Sequence, residues 1–163
     1  MGHYTAYVLD RVDANFASFS SEPAPTLYDG DDGAIRGDAR EREVDLGRDA
    51  PVVSVDESPQ VQRETIGTEF DYRVEPGVSV RVEGLHDDYR GGTFGGAADF
   101  ASYVQAVIDA INADREFPAP SGVPDTDVLS ARIENEVDNS ADRPGGYYER
   151  VFDVRFEGYR TLP

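Results

Sequence analysis

The chain has 163 residues, enough for one domain with its own hydrophobic core and too few to divide comfortably into two. Its 33 acidic residues face 15 basic ones, all of them Arg, and the resulting net charge of −18 disfavours tight binding of nucleic acid through its phosphates. The absence of cysteine excludes a disulfide framework, a thiolate nucleophile and a Cys-based zinc site.

So large a charge strains a compact state in dilute buffer, whereas at ~1 M salt the Debye length falls to about 3 Å and most of the repulsion disappears. An acidic surface without Lys therefore points to a salt-loaded cytoplasm in preference to a DNA mimic, although GC-rich codon usage also removes Lys. No apolar run approaches the ~20 residues that span a bilayer, and no basic segment leads into an apolar one at the start. The expectation is a soluble intracellular protein, or part of a particle assembled inside a cell, without a membrane partner.

In chain order, "YTAYVLDRVDANF" (Tyr4 to Phe16) carries Val8, Val12 and Phe16 at four-residue spacing beside Leu9, the pattern of an amphipathic helix. From Asp29 to Asp49, twelve of twenty-one residues are charged and few are apolar, which predicts a mobile acidic arm ordered only on assembly. "PVVSV" reads as a short strand. In "EFDYRVEPGVSVRVEGL", Phe70, Tyr72, Val74, Val78, Val80 and Val82 share one parity, with Asp71, Arg73, Ser79, Arg81 and Glu83 opposite. This predicts two half-buried strands joined by a hairpin at "EPG". Phe100, Val104 and Ile108 form one helical stripe, Tyr103, Val107 and Ile111 the next, and Pro118 and Pro120 follow. Leu129 to Val137 and Val151 to Glu157 return to period two around the turn-rich "DNSADRPGG", an antiparallel pair. The fold class is α+β: an antiparallel sheet of about four strands with two helices packed on one face, plus the charged arm.

The glycine pairs of "YRGGTFGGAADF" lie where phosphate cradles put glycines, but there is neither Gly-Lys-Ser/Thr nor Gly-x-Gly, and Asp87, Asp88 and Asp99 crowd the site with negative charge. A flexible strand-to-helix connection is the better reading. "HDD" at His86 to Asp88 has donors for a metal or a base but no second histidine nearby, and a solvated loop histidine is favoured. "DGDDG" at Asp29 to Gly33 fails as an EF-hand, with Ala34 and Arg40 where glycine and glutamate belong, which leaves at most a loose cation site. "RGD" at Arg36 to Asp38 reads as chance in a charged segment. No serine sits in a nucleophile elbow. No catalytic, metal-binding or cofactor-binding residue is assigned.

Tyr147, Tyr148 and Tyr159, with Arg150, Arg155 and Arg160, make the last strand aromatic and basic in an acidic chain. Such residues serve either a core or an interface. The interface reading takes Asp87, Asp88, Arg90 and Thr93 from one exposed loop and Asp142 and Arg143 from another, with Tyr147, Tyr148, Arg150 and Tyr159 from the strand.

In the order of "YVLDRVDANF", "FDYRV", "VSVRVEGL", "FASYVQAVIDAINADREFP", "VLSARIENEVD" and "YYERVFDVRFEGYRTLP", the chain resembles the tail-terminator or tail-completion proteins at the neck of tailed viruses, especially those of salt-loving archaea. The resemblance covers most of the chain apart from the acidic arm. It implies a small α+β subunit, a ring, usually a hexamer, on the end of the tail tube at the head-tail interface, and no catalytic residues. The implied partners are copies of itself, the tail tube protein and head-tail connector proteins, with viral DNA passing through without specific binding. The implied location is the virion. The competing readings are another neck or tail component (adaptor, stopper or tube protein), a salt-adapted enzyme, and a DNA mimic.

Overall fold

Alternating apolar residues build one mixed sheet, and two apolar helical stripes cover it. In this computed structural model the residues described are 3–38, 44–57, 62–65, 71–75, 77–113, 127–140 and 146–161. In chain order the elements are α1 (His3–Asn15), a 3-10 turn (Phe16–Ser18), β1 (Thr26–Asp29), β2 (Ala34–Ile35), α2 (Leu46–Asp49) and β3 (Val52–Glu57). There follow β4 (Gln62–Thr65), β5 (Asp71–Glu75), β6 (Gly77–Leu85), α3 (Ala97–Asn112), β7 (Asp127–Asp138) and β8 (Tyr147–Thr161).

The sheet is open and has eight strands in the order β2-β1-β3-β6-β8-β5-β4, with β7 on β8 as well. About four strands are expected in the sheet; β3 and β5 to β8 fall on the runs that read as strands, and three more are present. The added strands β1, β2 and β4 have two to four residues, too short to show alternation in the sequence. The pairing is also not wholly antiparallel, because β1 runs parallel to β3, with Leu27 opposite Val53 and Asp29 opposite Val55.

The expected hairpin at "EPG" does not form. Val74 pairs with Gly158 and Gly77 with Arg155, so both strands follow β8 in one unbroken register and lie end to end along its edge. Constant parity from Tyr72 to Val82 is what a single straight run produces without any turn. The β7–β8 pair is antiparallel as expected, and irregular between Val128 and Ser130 and between Glu134 and Val137.

The acidic stretch expected as an arm is instead built into the sheet margin in residues 29–38 and 44–49; residues 39–43 lie outside the described set. Two local devices achieve this without many apolar groups. The Asp29 carboxylate turns back to accept the amides of Asp31 and Asp32 at 3.0 and 3.2 Å, closing the β1–β2 turn. Asp45 caps α2 through the Gly47 amide, and buried Asp49 returns the bond to the Asp45 amide at 2.9 Å. Leu27 and Ile35 supply the buried apolar contacts.

Val53, Val55, Val78, Val80, Val82, Phe152, Val154 and Phe156 meet Val8, Leu9 and Val12 of α1 in one core. From α3, Phe100, Tyr103, Val104, Val107, Ile108 and Ile111 join it, so both predicted stripes face the sheet. Each such side chain contributes roughly 1.5–3 kcal/mol through its burial. Tyr4 packs at a tilt and Tyr7 edge-on against Phe156, at 4.9 and 5.7 Å between ring centroids. Beyond Phe156 the end of β8 continues as far as Thr161, flanked by β5 on one edge and the start of β7 on the other, with β4 outside β5.

Candidate functional site

The end of β6 enters α3 through a closed hoop of residues 86–94. Its backbone is tied across the neck: Thr93 and Phe94 donate to the Leu85 carbonyl, Asp87 donates to Phe94, and the His86 amide donates to Gly146 at 2.7 Å. Buried Phe94 anchors the hoop from below, packing edge-on against Phe100 and Tyr103 at 5.3 and 5.0 Å. This connection is therefore a fixed feature, held by about six backbone bonds and an aromatic plug.

Three donors converge on the hoop. His86 Nδ1 lies 3.1 Å from an Asp87 oxygen and 3.3 Å from an Asp88 oxygen, the one group of three candidate metal ligands among the described residues. The same nitrogen accepts the Asp88 backbone amide at 3.1 Å. One lone pair cannot hold that amide and a cation together, so a metal on Nδ1 would have to displace the amide.

Across the sheet from the hoop's origin, Glu83 and Glu149 stand directly opposite each other on β6 and β8. Two carboxylates in that position repel. Tyr147 answers the repulsion: its hydroxyl lies 2.6 Å from an oxygen of each. Burial first, then the bonds to Glu149 and Glu83, hold that hydroxyl protonated well above its usual range. Asn139 donates to the other Glu149 oxygen at 3.1 Å, and Ser140 bonds the Glu149 backbone. Glu149 is thus 5% exposed and bonded at both oxygens. Neither glutamate is evident as a pair in the sequence, because their meeting depends on the β6–β8 register.

The residues chosen from sequence separate into three groups. Asp87, Asp88 and Arg90 are exposed on the hoop, with Thr93 half-buried at its neck. Tyr147 is tied to the glutamates, Tyr148 stacks on Phe100 at 5.3 Å, and Arg150 bridges Glu136 and Asp138 at 2.9 and 3.3 Å. Asp138 is held below the usual carboxylate range, chiefly by the Ser140 amide and side chain, against an upward push from burial, with Arg150 adding the lesser contributions. Asp142 and Arg143 lie outside the described residues, and of Tyr159 only the strand position, opposite Arg73 and Asp127, is described.

Two recesses flank this surface. A cleft of about 580 Å³ between α1 and the β1–β2 edge is lined by Asp13, Asp38, Asp49 and Arg36, the last paired with Asp10 at 2.6 Å. A smaller one of about 330 Å³ lies where α2 meets the hoop, lined by Asp45, Gly47, Arg48 and Arg90.

No protein-family model and no curated protein matches the chain. A solved structure with 15% sequence identity aligns with 94% of this chain and 95% of its own, at a TM-score of 0.37. A likeness of that degree carries no argument. No helix among the described residues is long and apolar enough to cross a membrane.

Proposed function

We propose that this chain is a structural virion protein whose copies form a ring, a hexamer in this reading, on the end of a viral tail tube at the head-tail interface. There it stops tube growth and joins tail to head. The observation that carries the reading is the continuation of β8 past Phe156, where the rings of Tyr4 and Tyr7 pack, to Thr161, paired with β5 on one side and β7 on the other. Helix-backed sheets are stable because their apolar faces are covered, and a neighbour's surface can extend that cover along paired strands.

Two further features support it. The order of helix, strands, helix and closing strands that underlies the resemblance is also the order along the chain of the described elements. The net charge of −18 suits a ring whose lumen passes DNA without retaining it. In this reading the chain performs no catalytic step and needs no cofactor; its partners are its own copies, the tail tube protein and the head-tail connectors.

The test is native mass and negative-stain imaging in about 2 M salt, where repulsion between copies is screened. Closed rings are the expected result. A chain that stays monomeric at high concentration in that salt overturns the reading, and open helical stacks favour a tube component instead.

A further inference from the structure

The close approach of α2 to the hoop has a consequence for charge. Gly91, at a φ of 80°, lies so near Gly47 that a Cβ on it would stand 2.5 Å from the Gly47 carbonyl oxygen. Only glycine permits that approach in that conformation. It sets the sequence neighbours Arg48 and Arg90 on the walls of the same 330 Å³ recess. Asp45, the recess's acidic group, is engaged in capping the Gly47 amide at 3.1 Å.

Both arginines are exposed, and among the described residues neither guanidinium has a hydrogen bond, ion pair or ring contact. Among the described residues Arg81 shares this state, but Arg48 and Arg90 share one recess. Arg36, Arg132, Arg150 and Arg155 each lie within 4 Å of a carboxylate of their own chain. Two guanidiniums lining one recess offer the paired N–H donors that a carboxylate accepts.

We propose that Arg48 and Arg90 form a clamp for a carboxylate supplied by a second copy of this chain. The acidity of the chain points to the source: each copy carries 33 carboxylates, and a neighbour held by the ring presents such side chains at fixed distance whatever the bulk concentration. The clamp rests on the ring reading and gives it one specific contact: a basic recess on one subunit meets an acidic group on the next, a head-to-tail interface of the kind that closes rings.

The experiment compares the full chain with the Arg48→Gln/Arg90→Gln double variant and with Arg90→Lys, in about 2 M sodium chloride, by sedimentation across a concentration series. The double variant is expected to associate about ten- to a hundredfold more weakly with unchanged circular dichroism and melting. Arg90→Lys, which keeps the charge and loses the fork, is expected to weaken association as well. Wild-type association by the double variant overturns the clamp. If the wild-type chain itself never associates, the ring reading falls, and the clamp is decided separately by titrating succinate while following the Arg48 and Arg90 Nε–H resonances. Joint, saturable shifts then retain a carboxylate clamp and reject the second copy as its occupant; unmoved resonances reject both.

Discussion

Tyr147 has one phenolic proton and two carboxylate oxygens 2.6 Å away. The proton serves Glu83 and Glu149 in turn, and it replaces part of the water that two facing glutamates lose inside a sheet. Tyr147→Phe keeps the ring and deletes the bridge, so it should destabilise the fold by about 1–3 kcal/mol at neutral pH. Adding Glu83→Gln to that variant removes one charge of the opposed pair and should restore part of the loss. Urea denaturation of the wild type, single and double variants measures both steps; an additive second loss would show that repulsion between the glutamates is not what the hydroxyl relieves. The sequence singles out Tyr147 by composition alone. It gives no sign of Glu83 and Glu149, which lie 66 positions apart and meet only once β6 and β8 take their register. Tyr148 and Arg150, picked for an interface, lie on β8 against Phe100 and against Glu136 and Asp138 of β7.

At the scale of elements, legibility follows length. Sixteen residues of α3 show four turns of apolar stripe, and the structure buries Phe100, Val104 and Ile108 with Tyr103, Val107 and Ile111 as that stripe demands. The four residues of β1 hold too little pattern to show alternation. Proline misled at "EPG", where turn chemistry outweighed the unbroken parity that marks β5 and β6 as collinear. The same contrast between covered and uncovered elements predicts mutational cost. Ile111 is 1% exposed under the sheet, so Ile111→Ala should cost about 2–5 kcal/mol through lost burial and a cavity. Val137, at an irregularity of β7 and 50% exposed, should accept threonine within about 0.5 kcal/mol. Paired thermal and urea melts measure the two; a large loss at Val137 would mean that β7 is covered in solution by something beyond its own chain.

For the whole molecule, the decisive quantity is a charge of −18 on 163 residues. Many carboxylates already have partners, as the Arg150 and Arg155 bridges show, but 15 arginines cannot neutralise 33 acids, and the remainder repel across the surface. Raising potassium chloride from about 0.1 to 1 M shortens the Debye length from about 10 to 3 Å. The melting temperature should therefore climb by about 10 °C, several kcal/mol of relieved repulsion at roughly 2–4 °C per kcal/mol for a chain of this size. Screening has its own signature: the rise is steepest below 1 M and then flattens, whereas exclusion of a strongly hydrated salt such as sulfate goes on stabilising as concentration increases. A melting temperature that stays level in potassium chloride up to 1 M would remove the salt-adaptation argument. Assembly amplifies the effect, since each contact in a ring brings two like-charged bodies together. The midpoint salt concentration for association should accordingly lie above that for folding, with folded monomers in the interval between them.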